Sequence, residues 1–339
     1  MTDSQPLAPR LVDGHGRVHR DLRISLTDHC NLRCSYCMPA EGVAWIARDT
    51  LLTPAELMRL VRVGVNLGVT EVRLTGGEPL LRPDVVEIVA RIAALTRPDG
   101  GHPEVSMTTN GIGLARLAEP LFDAGLKRVN VSLDTLRPDR FLALTRRDRL
   151  TDVLAGLDAA VDAGLAPIKV NSLLMRGVND DEAVELVRWA VGEGHELRFI
   201  EHMPLDAGHT WKRSEMITGA EILAKLGEAF ELTALPGRGA APAERWLVDG
   251  GPGTVGVIAS VTMPFCGACD RLRLTADGQL RNCLFARDES DLRTPLREGA
   301  TDDEIAEIIV ASLAAKLPGH GINEPGFLQP RRTMSAIGG

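Results

Sequence analysis

From residue 22 onward, short strand-like runs alternate with helix-like segments, and this alternation favours parallel strands joined by crossover helices. The strand candidates are LRISLT from residue 22, EVRLT from 71, EVSMTT from 104, RVNVSL from 128, IKVNSLL from 168 and LRFIEHM from 197. Between the first two lies LLTPAELMRLVRVGVNLG, where Thr53 is placed to cap a helix, Pro54 to open it and Glu56 to complete a capping box. Similar helices are expected near residues 82–96, 113–124, 151–163 and 180–192. That makes six strand–helix units or nearly so, too few for a closed eight-fold barrel.

Beyond about residue 215 the pattern changes to a helix, a loop rich in Gly, Pro and Ala (ALPGRGAAPAERW) and a GGPGT turn. A last helix is expected near 302–316, followed by a tail with too many breakers to be regular. The division that follows is an N-terminal extension over 1–20, a barrel region over 21–214 and a C-terminal region over 215–339. Polar motifs fall at the C-terminal ends of successive strands: a cysteine loop, TGGEP, TTNG, SLDT, Asn171 and EHMP. In barrels of this kind, that end carries the active site.

A balance of 38 Lys and Arg against 46 Asp and Glu gives a formal net charge of −8, which argues against nucleic acid as the bulk partner. The N-terminus lacks the apolar core of a signal peptide and no run of eighteen apolar residues occurs, so the expectation is a soluble, cytoplasmic protein without membrane contact. All six cysteines fall into two triplets, Cys30, Cys34, Cys37 and Cys266, Cys269, Cys283. Disulfides could use the same residues, but a long chain of cytoplasmic character favours metal binding.

The first triplet, HCNLRCSYCMP, has C-x3-C-x2-C spacing, whereas a closed structural zinc site takes four ligands. A 4Fe-4S cube held by three thiolates accounts for the missing ligand, because it leaves one iron open to an outside group. A cluster completed by His29 or His15, serving structure or electron transfer, remains the alternative on spacing alone.

The second triplet places Cys266 and Cys269 before a hairpin, RLRLT–ADG–QLRN, that brings Cys283 back. Period two sets Leu272 and Leu274 on one face and Arg271 and Arg273 on the other. A zinc ribbon would want a fourth ligand close after Cys283, and none follows. A second three-thiolate cluster flanked by two arginines makes a site for an anionic ligand, although an R-x-R on a strand is more often a solvated face.

CNLRCSYC resembles the signature loop of the radical S-adenosylmethionine (SAM) superfamily, in which SAM occupies the open iron and is cleaved to a 5′-deoxyadenosyl radical. The resemblance implies SAM contacts from Tyr36, from Gly76, Gly77 and Glu78 of the GGE motif, with Glu78 on the amino group, and from Ser132 and Met203. Both triplets together, with TGGEPLLR and RLRLT, resemble the GTP 3′,8-cyclase family of molybdenum cofactor biosynthesis over nearly the whole chain from residue 14. That implies a partial (βα)6 TIM-type barrel with a C-terminal iron–sulfur extension, two 4Fe-4S clusters, and GTP held near the second cluster by Arg23, Arg73, Thr108, Lys169, Arg271, Leu272 and Arg273. It also implies an electron donor such as flavodoxin or ferredoxin, transfer of product to cyclic pyranopterin monophosphate synthase, and leaves a homodimer open. The family's double-glycine terminus is present as Gly338 and Gly339, while His29 stands where arginine is expected. A peptide-modifying radical SAM enzyme with an auxiliary cluster, or a non-catalytic iron–sulfur protein, are the readings from other classes.

Overall fold

The protein is represented by a computed structural model that describes residues 11–338. Six strands appear where alternation predicts them: β1 (Asp21–Ser25), β2 (Glu71–Thr75), β3 (Glu104–Thr109), β4 (Leu126–Ser132), β5 (Lys169–Leu173) and β6 (Glu196–Ile200). They run parallel in chain order. Helices α1 (Pro54–Leu67), α2 (Val85–Ala93), α3 (Leu114–Asp123), α4 (Pro138–Thr145), α5 (Leu150–Asp162) and α6 (Ala183–Gly192) lie between them. The α1 capping box forms, with Thr53 Oγ1 accepting from the Glu56 amide and Glu56 Oε2 from the Thr53 amide. Helix α4 was not expected from the sequence; it is short and its Pro138 stands at the first turn.

The C-terminal region adds α7 (Gly219–Gly227), β7 (Leu232–Leu235), β8 (Glu244–Val248), β9 (Thr254–Ile258), β10 (Arg271–Leu274), β11 (Gln279–Arg281), β12 (Ser290–Asp291), α8 (Arg293–Arg297), α9 (Asp302–Ala314) and α10 (Met334–Ile337). All strands join one twelve-stranded sheet in the order β12-β11-β10-β1-β2-β3-β4-β5-β6-β9-β8-β7. Strand β10 pairs parallel to β1 and β9 parallel to β6, so the C-terminal region extends the barrel sheet at both edges. Those two strands next pair antiparallel with β11 and β8 rather than with each other. The barrel stays open, and hairpins cover the edges that openness would expose. The division near residue 215 is therefore one of chain order, because strands from both sides of it share the sheet.

Alternate residues on each strand divide between two environments. Leu22, Ile24, Val72, Leu74, Val105, Met107, Val129, Val131, Leu197 and Phe199 are buried against the helices in one continuous core. The intervening positions carry the polar residues of the inner face, and it is this face that builds the site.

Candidate active site

The loop from β1 carries Cys30, Cys34 and Cys37, and it is held from several sides. The amides of Gly77 and Glu78 donate to the carbonyls of Thr27 and His29 at 2.7 and 2.8 Å. A Cβ on Gly76 would lie 2.3 Å from the Thr27 carbonyl, and one on Gly77 2.3 Å from that of His29. The two glycines are thus needed for the approach of this turn to the cysteine loop as well as to the cavity they border. Arg146, in the left-handed region at φ 57°, closes the other side, donating to the carbonyls of Arg33 and Met38 at 2.7 and 3.1 Å.

Cys30, Cys34, Cys37, Tyr36, Gly76, Gly77, Thr108, Ser132 and Met203 line one cavity at the strand ends. Asp134, His202, Met334 and Ser335 join them, none of which the sequence singled out as a site residue. The Tyr36 hydroxyl donates to Asp134 Oδ2 at 2.6 Å, while Asp134 Oδ1 accepts from the Leu173 amide at 2.8 Å. Burial holds the Asp134 carboxyl up at about 6. His202 stands edge-on to Tyr36 at 6.3 Å between centroids, with neither ring nitrogen hydrogen-bonded.

Glu78 is placed otherwise than expected. It is completely buried and absent from the cavity wall, and its carboxylate accepts from the Leu80 amide (2.9 Å), Thr109 Oγ1 (2.7 Å) and the Asn110 amide (2.7 Å). Burial raises its carboxyl to about 7 despite these bonds. In this structure it ties the ends of β2 and β3 together.

All six cysteines are free thiols, so the disulfide alternative is not realised. Burial raises the pKa of Cys30, Cys34 and Cys37, the last to about 12. The Leu32 amide (3.4 Å) and Asn110 Nδ2 (3.8 Å) point at the Cys30 sulfur. The three thiols line one cavity and raise one another's pKa, and with neutral donors they deprotonate together only against a multivalent positive centre, which suits a cluster core. Among the described residues no three His, Cys, Asp or Glu side chains converge tightly enough for a single metal ion. His29 stacks on Trp45 at 4.6 Å, and neither it nor His15 lines the cavity.

Beneath the cavity the inner face carries a layer of cations. Arg273, Arg23 and Arg73 occupy matched register positions on β10, β1 and β2, so like charges stand directly opposite one another. Lys169 pairs in register with Asn130, itself paired with Thr108. Arg128 and Arg198, missed at the sequence level, belong to the same layer and stand near Arg73 and Lys169. Period two on RVNVSL and LRFIEHM places both on the face of the strand-end motifs, and that was the available signal. Arg128 is compensated by Glu71 and Glu104 at 3.0 and 2.8 Å, and Arg198 by Glu196 at 2.5 Å. Arg23, Arg73, Arg271 and Arg273 instead face one shared carboxylate, Asp21, which they hold below its ordinary range against the cost of burial. Such a row is destabilising by itself and calls for an anion.

Arg271 and Arg273 are only 7 and 5% exposed, which removes the solvated-face alternative. Arg271 turns toward Cys269, 3.7 Å from its sulfur, and over the Phe265 ring; Arg273 donates to the Gly338 carbonyl. Leu272 lies on the face opposite the arginines, as period two predicts: its side chain is 2% exposed in the apolar core, which leaves only its backbone for the ligand contact that the resemblance implies. The tail reaches the site through Gly338, which packs on Thr75 and Gly76, while Gly339 lies outside the described residues.

The second triplet lies where β10 begins and β11 ends. Burial raises the Cys266 thiol, whereas Cys269, which burial alone would also raise, is held below the usual thiol value by the Lys316 and Arg271 cations. Arg17 donates to the Cys266 carbonyl at 2.7 Å.

Comparison with known proteins places these features in a family. The profile of the Radical SAM superfamily matches residues 24–190, and that of Molybdenum Cofactor Synthesis C matches residues 195–322. A Streptomyces coelicolor protein named GTP 3′,8-cyclase is 62% identical over 97% of this chain and 96% of its own length. One of the same name from Corynebacterium glutamicum is 54% identical over 97% and 89%. Among solved structures, Streptococcus suis SuiB superposes with a TM-score of 0.57 at 14% identity, covering 91% of this chain and 68% of SuiB, which speaks to the fold alone.

Proposed function

Because the chain belongs to the GTP 3′,8-cyclase family of the radical SAM superfamily, we propose that it converts GTP to (8S)-3′,8-cyclo-7,8-dihydroguanosine 5′-triphosphate, the first step of molybdenum cofactor biosynthesis. The observation that carries this reading is the juxtaposition of a three-thiol cavity with a buried layer of undercompensated cations. A peptide substrate gives no reason for that layer, and a triphosphate does.

Cys30, Cys34 and Cys37 would hold a 4Fe-4S cluster, which together with SAM would supply the one-electron chemistry that removes hydrogen from C3′ of GTP so that C3′ can bond to C8. Cys30, Cys34 and Cys37 line the cavity together with Tyr36, whose hydroxyl is fixed by Asp134. Gly76, Gly77, Ser132 and Met203 form the walls against which SAM is held. Arg23, Arg73, Lys169 and Arg273 take the triphosphate, drawing the nucleotide toward the β10 edge. Cys266, Cys269 and Cys283 hold a second 4Fe-4S cluster there, beside Arg271. The reaction draws its electrons from a flavodoxin- or ferredoxin-type donor, and its product passes to cyclic pyranopterin monophosphate synthase in the cytoplasm. Among the described residues no helix is long and apolar enough to cross a membrane.

The test is anaerobic turnover with SAM, GTP and reductant. The cyclised nucleotide and 5′-deoxyadenosine should form together, and ATP should not replace GTP. Changing any of Cys30, Cys34 or Cys37 to Ala should abolish SAM cleavage, while changing Cys266, Cys269 or Cys283 should spare some uncoupled cleavage and abolish cyclisation. Equal loss of both activities in the two sets, with the fold and the other cluster intact, contradicts the division of labour.

A further inference from the structure

Lys316 is a lysine that the reaction scheme leaves without a task, yet it is only 4% exposed. It follows the end of α9, where its amide donates to the Leu313 carbonyl at 2.9 Å. Its ammonium donates to the Arg271 carbonyl at 2.9 Å and lies 3.6 Å from the Cys269 sulfur. No carboxylate among the described residues forms an ion pair with it. A buried ammonium without an anionic partner is costly, so the partner here is the sulfur.

The lysine is also held in place from outside. The carbonyls of Leu317 and Pro318 accept from Arg17 at 2.7 and 3.2 Å, and the same guanidinium donates to the Cys266 carbonyl. Asp13 binds Arg17 in turn and accepts from the backbone amides of His15 and Arg17. Residues 13–17 and the chain after α9 thereby form a clamp on the second triplet, with Lys316 at its inner end.

We propose that Lys316 is a positioning residue of the second triplet, a fixed buried cation hydrogen-bonded to the Cys269 thiolate that sets the reduction potential of the cluster held there. This rests on the reading of Cys266, Cys269 and Cys283 as 4Fe-4S ligands. The cluster takes one electron from the donor protein, no bond is made or broken, and its negative charge grows by one. Hydrogen bonds to ligand sulfur and local net charge govern such potentials, and a cation at this distance favours the reduced form.

The experiment uses the full chain with Cys30, Cys34 and Cys37 changed to Ala, reconstituted anaerobically so that iron reports on the second triplet. Iron content and an EPR-monitored potential titration are compared for Lys316, Lys316→Gln and Lys316→Arg. The parent should hold about four irons. Gln keeps a donor for the Arg271 carbonyl but removes the charge. It should shift the reduced-to-oxidised ratio at fixed potential toward the oxidised form by about tenfold or more, about 59 mV for one electron. Arg should restore most of that shift. A parent without iron removes the cluster reading and this inference with it. A parent with iron and an unchanged potential in Lys316→Gln overturns this inference and leaves the cluster standing. Loss of the cluster in Gln but not in Arg supports the requirement for charge; the same loss or the same shift in both overturns it.

Discussion

Glu78 is a residue whose neighbours decide its role. The GGE motif suggests an acceptor for the amino group of SAM, but its carboxylate is enclosed and already accepts from Leu80, Thr109 and Asn110. Glu78→Ala strands buried donors, each costing about 1–3 kcal/mol, so unfolding by urea should show a loss of at least that size. Full stability with lost SAM binding would return Glu78 to direct contact with the ligand. Its pH signature has a definite sign, because the folded carboxyl sits at about 7, above its ordinary 4.5. The folded state binds that proton more tightly, so this contribution is present in full below about 4.5 and is lost as the pH rises through about 7. Glu78→Gln, which does not titrate, should flatten the fall in unfolding free energy between those values. Parallel profiles for the two proteins would show that the carboxyl does not titrate there.

Among the elements, β10 joins the barrel edge to the second triplet and supplies Arg273, which is hydrogen-bonded to the tail at Gly338. If Arg273 binds phosphate, Arg273→Ala should weaken GTP by roughly tenfold or more, from a charge-assisted bond of about 1.5–3 kcal/mol. SAM affinity should change little, and Arg273→Lys should recover part of the loss because it keeps charge without the planar fork. Equilibrium dialysis of both ligands with iron content checked decides it, and unchanged GTP affinity in the alanine variant sinks the assignment. The hairpin before Cys283 was legible, since period two in RLRLT and the Asp277–Gly278 turn are local signals. Its partner was not: the parallel pairing of Leu272 with Leu22 joins residues 250 positions apart. Strands β7 to β9 were lost for a related reason, being short runs between Gly and Pro whose strand character comes from pairing, β9 on β6, β8 on β9 and β7 on β8. The site was legible where motifs end strands. Arg128 and Arg198 carry only the weak local signal of period two, which puts them on the face of the strand-end motifs; their place in a cation layer emerges only once their neighbours across the sheet are known. Asp134 falls within the strand-end motif SLDT, but its bond to Tyr36 depends on tertiary approach, as does the whole placement of Lys316.

For the molecule as a whole, a formal net charge of −8 surrounds an interior rich in cations, so nucleotide binding must overcome the average by local concentration. Lys169 reports on that balance. Burial first, then Arg198, pushes its ammonium down to about 8. A triphosphate favours the protonated form, so GTP affinity should fall as the pH rises from 7 through about 8, where the free enzyme loses the charge. Lys169→Ala should bind GTP roughly tenfold more weakly at pH 7, about 1.4 kcal/mol, and should lack the step. Lys169→Arg, charged throughout this range, should bind without the step while keeping much of the affinity. Anaerobic dialysis of GTP at pH 7.0, 8.0 and 8.5 across the three proteins, with SAM as the control ligand, separates these outcomes. A step of equal size in all three would place the titrating group elsewhere, and flat profiles with equal affinities would remove Lys169 from the phosphate site.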